Sequence, residues 1–325
     1  MKALLCKTLE GPGALVIEDL PDPVAGAGEV VVQVAAAALN FSDTLMTRGT
    51  YQTKPALPFS PCGEIAGRIC GLGPGVTGWT PGQRVMAYLG HGGARAKVAV
   101  SADSLIAIPD GISDDIACGL SITYGTALYG LRERAVLQPG ETVAVLGAAG
   151  GAGLAAVEIA KLLGASVIAV ASSAEKLDIC RTHGADETVS SQSAEMKETL
   201  RALTKGRGVD VIYDCVGGAL AEPAFRALAW KGRYLVIGFA SGEIPKLPLN
   251  LFLLKGAAAL GVFWGEAVRR NPASHRADMA FALDAIGAGR LTPRVHAVLP
   301  AKQFAEAFGL LERREAMGKV VLTGW

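Results

Sequence analysis

From Thr142 onward, short apolar runs alternate with longer segments of helical period. Thr142 to Gly147, Ser166 to Ser172, Val209 to Val216, Arg233 to Phe239 and Ala258 to Trp264 read as strands, with a shorter one at Glu187 to Ser190. Gly151 to Leu163, Ala174 to His183, Ala194 to Thr204 and Leu220 to Trp230 read as helices, and Gly164 and Gly184 are placed to stop the first two. Nearly continuous apolar strands separated by helices predict a parallel sheet covered on both faces. The first third differs. Lys2 to Cys6, Glu29 to Ala36, Gly63 to Gly71, Arg84 to Tyr88 and Ala94 to Val100 are β-branched runs cut by Gly and Pro, which predicts an irregular β-rich region. After Trp264 a helix (Ala277 to Ala288), a strand (Arg294 to Leu299), a helix (Ala301 to Arg314) and a strand (Lys319 to Thr323) follow. This tail is too short for its own core, so it is expected to pack on the N-terminal part.

Composition narrows the function classes. A chain of 325 residues suits two domains. A net charge of +1, with no basic and aromatic stripe, argues against nucleic acid or an anionic membrane as partner. The opening Met1 to Cys6 loses its apolar character at Lys7, and no run is long enough to span a bilayer, so a cytoplasmic location is expected. The six cysteines show no C-x-x-C spacing and are expected to be buried, reduced thiols. His183, His275 and His296 are expected on helix or strand surfaces, and His91 in a surface loop.

The strongest chemical signal is Gly147-Ala148-Ala149-Gly150-Gly151-Ala152-Gly153, between a strand and an amphipathic helix. A tight turn needs glycine dihedrals, and a pyrophosphate needs bare backbone beside unpaired N–H groups at a helix start. The next strand ends Ala171-Ser172-Ser173, where an NAD site usually carries an acid for the ribose hydroxyls. Two serines followed by Lys176 suit a 2′-phosphate, which predicts NADPH. Glu175, turned toward the ribose, is the opposing reading, and Lys176 as a solvated helix charge is another.

These residues carry a resemblance. Val145 to Leu154 resembles the cofactor loop of the quinone oxidoreductase (zeta-crystallin-like) branch of the medium-chain dehydrogenase/reductase superfamily. Asn40-Phe41-Ser42-Asp43, Arg48-Gly49-Thr50-Tyr51, Pro61 to Gly67, Pro81 to Val85, Gly184-Ala185-Asp186 and Gly238 to Gly242 match in family order. The resemblance implies an α/β protein with a doubly wound Rossmann domain, 120–265, inserted in a GroES-like β-rich catalytic domain, 1–119 with 266–325. It implies a cleft between them as active site. Gly150, Gly151, Ala152 and Gly153 would face the pyrophosphate. Ser172, Ser173, Lys176 and Ser191 would lie by the 2′-phosphate, although several members carry Tyr or His where this chain has Ser191. Val216, Gly238, Phe239, Phe263 and Trp264 would line the nicotinamide half, and Asn40, Tyr51 and Thr126 would border nicotinamide and substrate. Tyr51 reads equally as a hydrogen-bond donor to the acceptor and as a packing ring.

Zinc alcohol dehydrogenases of the superfamily place ligands where this chain has Asn40 and Gly63, and the four-cysteine structural lobe is missing. Cys62, Glu64 and His91 remain, without useful ligand spacing. The resemblance therefore implies a zinc-free NADPH:quinone oxidoreductase taking a small-molecule acceptor. An NADPH-dependent reductase of α,β-unsaturated carbonyls or enoyl or acryloyl thioesters is the alternative, and a non-enzymatic crystallin-like or RNA-binding role a further one. The apolar strand Ala257 to Trp264, last in the doubly wound order, leaves an edge that invites a two-fold partner, so a homodimer is expected.

Overall fold

The computed structural model describes residues 1–325. In chain order the strands are β1 (Lys2–Leu5), β2 (Val16–Asp19), β3 (Glu29–Leu39), β4 (Glu64–Leu72), β5 (Arg84–Tyr88), β6 (Lys97–Ser101), β7 (Leu105–Ala107), β8 (Thr142–Leu146), β9 (Ser166–Ala171), β10 (Glu187–Ser190), β11 (Val209–Asp214), β12 (Leu228–Val236), β13 (Ala258–Gly261), β14 (Val295–Pro300) and β15 (Lys319–Thr323). They divide between two compact units. The first comprises Met1–Ile122, Met279–Gly287 and Arg294–Trp325, the second Thr123–Asp278 and Ala288–Pro293. The divisions fall later in the chain than the 119/120 and 265/266 boundaries read from the sequence.

The first unit holds a seven-stranded sheet in the order β14-β15-β3-β4-β5-β7, with β6 also on β3. The tail joins it directly: β15 runs antiparallel to β3, Val320 facing Leu39 and Thr323 facing Ala36. Its core gathers Leu4, Val30, Val32, Leu39, Ile65, Ile69 and Val85 with Phe308, Val320 and Leu322 from the tail.

The second unit is a six-stranded, all-parallel sheet in the order β10-β9-β8-β11-β12-β13. The strand order reverses beside β8, between β9 and β11, and in such sheets the crevice at the carboxyl ends of those strands is where ligands bind. All five residues of β8 are buried, which explains their unbroken apolar run. Helix Gly151–Leu162 covers the sheet and buries Glu158, whose carboxylate takes the Thr292 hydroxyl at 2.9 Å and lies 2.7 Å from His183 Nδ1.

Several expectations need correction. The helix read over Leu220 to Trp230 stops at Arg226, and Leu228 to Trp230 open β12 because Val209 of β11 captures Leu228 as a parallel partner. The apolar strand read to Trp264 ends at Gly261, and Trp264 starts a helix, Trp264–Arg270. Helix Leu249–Lys255 has no counterpart among the predicted elements. His275 is buried, not on a surface, and His183 is half-buried against Glu158. His91 is also partly buried, its ring edge-on to Phe59. Cys70 is exposed, contrary to the expectation for the thiols. No helix is long and apolar enough to cross a membrane.

Candidate active site

The glycine loop sits at the carboxyl end of β8. Gly147 has φ of 74°, a left-handed conformation open to glycine, and a Cβ there would lie 2.7 Å from the Val216 side chain. A Cβ on Gly153 would strike the Gly147 carbonyl oxygen at 2.2 Å, so only glycine lets the helix start this close to the turn. Gly150 is the N-cap of helix Gly151–Leu162, and its cap has no side-chain acceptor. The first-turn N–H groups of Gly151, Ala152 and Gly153 have no intrahelical acceptor, the feature a pyrophosphate uses. The residues present thus fit a dinucleotide.

At the neighbouring strand end, Ser172 and Ser173 follow β9 and both are exposed. Ser173 caps helix Ala174–Thr182 through its hydroxyl, which accepts the Lys176 N–H at 3.3 Å. Ser191 donates its N–H to Ala171 O at 2.9 Å, bringing the end of β10 beside the end of β9. The four residues assigned to the 2′-phosphate therefore share one end of the sheet, and Glu175 in the same turn is exposed.

The strand ends beyond β8 are tied by Asp214, a buried carboxylate the sequence reading missed. Its Oδ1 accepts the N–H groups of Val216 (2.7 Å) and Gly217 (2.9 Å), and Tyr234 donates its hydroxyl to Oδ2. Ile237 and Gly238 donate N–H groups to its carbonyl, Ala240 to Cys215 O and Ser241 to Val216 O. The Val216 and Gly238-Phe239 turns are thus one hydrogen-bonded assembly. Phe263 is exposed. Trp264 is buried, its indole where a Gly125 Cβ would stand, and Thr126 lies buried in the same helix, Leu120–Leu128.

In the first unit, Asn40 belongs to a buried polar cluster. Lys319 Nζ donates to Glu64 Oε1 (2.7 Å), Asn40 Oδ1 (2.7 Å) and Leu39 O (3.1 Å), which uses all three of its protons. Asn40 Nδ2 donates to Glu64 Oε1 at 3.0 Å, and Ile122 N–H to Glu64 Oε2 at 2.9 Å. Asp43 is fully buried between the N–H groups of Asn40 (2.8 Å) and Cys62 (2.9 Å), yet burial outweighs both and pushes it up to about 7. Tyr51 is half-buried against the apolar core, and burial, then the charge of Asp43, raise its phenol. It therefore keeps its proton at neutral pH. Lys319 escaped the sequence reading because its partners stand 255 to 280 residues away.

The donor set does not suit a catalytic metal. An ammonium already occupies the space between Glu64 and Asn40, and Gly63 offers no side chain. No group of three His, Cys, Asp or Glu side chains converges.

A glycine-cradled parallel sheet and a GroES-type, mostly antiparallel sheet define a two-unit dehydrogenase class. Residues 26–110 match the alcohol dehydrogenase GroES-like domain, and residues 151–283 the family described as zinc-binding dehydrogenase. A quinone oxidoreductase-like protein 2 homolog of Nematostella vectensis is 38% identical over 325 residues, covering 99% of this chain and 88% of the relative. The quinone oxidoreductase of Thermus thermophilus, solved also with NADPH, superimposes with a TM-score of 0.86 at 36% identity, covering 99% of this chain and 100% of that one. The CurK enoyl reductase gives 0.90 at 28% identity, covering 100% and 99%. The chain belongs to the medium-chain dehydrogenase/reductase superfamily, in its quinone oxidoreductase-like branch.

Proposed function

We propose that this protein is a zinc-independent NADPH oxidoreductase that reduces a quinone. The observation that carries the reading is the acid-free end of β9: Ser172, Ser173, Lys176 and Ser191 beside the glycine cradle suit a phosphorylated ribose. Bound NADPH supplies the hydride. Gly150 to Gly153 hold its pyrophosphate, the Asp214-tied turns at Val216 and Gly238-Phe239 border its nicotinamide, and Asn40, Tyr51 and Thr126 border the acceptor. The Lys319 ammonium holds Glu64 and Asn40 together, so neither is free to activate an alcohol through a metal. A quinone accepts hydride without such help; positioning and one hydrogen bond from Tyr51 suffice. The likeness to CurK supports a second reading, reduction of an enoyl thioester. NADPH oxidation measured over quinones, enals and enoyl thioesters separates the two, and turnover with none of them, or efficient oxidation of simple alcohols, overturns the proposal.

Two substitutions examine the site. Lys176→Glu is expected to weaken NADPH by about 1–2 kcal/mol while sparing NADH, measured as dissociation constants. Equal wild-type affinity for NADH and NADPH contradicts the assignment. Tyr51→Phe is expected to lower kcat roughly 100-fold with NADPH affinity unchanged. An unchanged kcat makes Tyr51 a packing residue.

The reading includes a cytoplasmic homodimer. β13 is an edge strand with exposed side chains, and helix Leu249–Lys255 presents Leu249, Leu253 and Leu254, each more than two-thirds exposed. Trp230 and Ile244 are exposed as well. Edges and apolar helix faces of this kind favour a second copy. Leu249→Glu with Leu253→Glu is expected to give a monomer by sedimentation with its thermal transition nearly unchanged, and a wild-type monomer at micromolar concentration refutes the dimer.

A further inference from the structure

Two segments of the first unit run side by side. Gly92 donates its N–H to Ser60 O (2.7 Å), Gly93 to Cys62 O (2.8 Å) and Ala94 to Pro61 O (2.9 Å). This ladder brings two basic side chains to one short stretch. Arg95 Nη2 donates to Ser60 Oγ at 3.0 Å, and the His91 ring meets Phe59 edge-on, with centroids 6.0 Å apart. Arg95 is half-buried, and its Nε is enclosed without an acceptor. The one side-chain acceptor on its guanidinium is a neutral hydroxyl.

Three other withdrawn cations face a carboxylate. Arg84 is paired with Asp114 at 2.7 Å, Arg233 with Glu141 at 2.6 Å and Lys319 with Glu64 at 2.7 Å. Arg95 forms no ion pair. Burial alone lowers its pKa, with no carboxylate opposing, and burial followed by the charge of Arg95 lowers that of His91. A guanidinium drawn out of water without a counter-charge is costly, and the group that best relieves it is an oxyanion, through charge-assisted hydrogen bonds.

We propose that Arg95, with Ser60 and His91, forms an oxyanion-binding site that takes the carboxylate or phosphate group of a small molecule. The guanidinium supplies charge and donors, the Ser60 hydroxyl fixes its plane, and His91 adds a donor that gains a proton more readily once the anion is bound. Tyr51, in the same unit, packs on the core that includes Phe59.

The test is nuclear magnetic resonance of the His91 ring in protein saturated with NADP⁺, so that the cofactor's own phosphate sites are filled. Four histidines make the signals assignable, and His91→Asn identifies the one in question. Acetate and inorganic phosphate are titrated against chloride at constant ionic strength. A saturable His91 shift with either anion is expected, weakened at least tenfold in Arg95→Gln and less in Arg95→Lys, which keeps the charge if the glutamine variant fails to fold. The anion that saturates at lower concentration identifies the group. No saturable shift, an identical curve in both Arg95 variants, or a response confined to cofactor-free protein overturns the proposal. The readout needs no turnover, so it stands or falls apart from the quinone assignment.

Discussion

Lys319→Met is expected to destabilise the first unit by about 3–5 kcal/mol, because it leaves a wholly buried Glu64 without its counter-ion. Asn40 Nδ2 and the Ile122 N–H remain as donors, but neither carries charge. Hydrogen exchange of the β3 and β4 amides reports this unit alone, and their protection is expected to fall by about two to four powers of ten. The double variant Lys319→Met with Glu64→Gln is expected to regain most of the loss, since glutamine still accepts from Ile122 and no charge remains to be compensated. A single variant within 1 kcal/mol of wild type, in the sense of about a fivefold change in exchange, would falsify the view that the pair is mutually dependent.

His275 carries the second large effect. Both of its ring nitrogens are buried without a hydrogen-bond partner, its ring lies edge-on to Trp264 at 5.3 Å, and burial, then the charge of Arg276, lower it to about 4. Its folded value lies below the unfolded one of 6.5, so the unfolded chain takes up the proton first as pH falls. The stability this group contributes is complete above pH ~6.5 and is lost toward pH ~4, a difference of about 3 kcal/mol. Asp278 and Asp43, which burial pushes up to about 6 and about 7, act in the opposite sense, so wild type alone does not isolate the histidine. Comparison with His275→Leu does. Near pH 8 the leucine variant is expected to match or exceed wild type, since it removes two unsatisfied polar atoms. Urea unfolding from pH 8 to 4 should then show its advantage growing by about 3 kcal/mol; a pH-independent difference rules out a buried neutral imidazole.

The readable parts of this molecule were those set by local pattern. The glycine loop, the strand and helix alternation around it and the acid-free end of β9 each lie within a few residues of one another, where dihedral need and hydrophobic period act directly. Leu220 to Trp230 misled because its alanines and leucines favour a helix, whereas pairing with β11 claims Leu228 onward; tertiary contact outweighs propensity. Helix Leu249–Lys255 was missed because its exposed leucines hide any polar face. Asp214, Lys319 and His275 were silent for a different reason. Their meaning lies in what surrounds them, and a single acid, lysine or histidine in the chain looks the same whether solvated or enclosed.

The placement of β15 also bears on how the protein is made. Lys319 is translated 280 residues after Leu39, whose carbonyl receives its ammonium. At ~5–20 residues per second, roughly 15–55 s separate the two. During that interval β3 has no β15 beside it and Glu64 has no cation, while the residues 123–278 of the second unit have already been completed. The nascent first unit therefore waits with an unpaired strand edge and an uncompensated acid, and its closure is timed by the arrival of the late segment that carries β14 and β15.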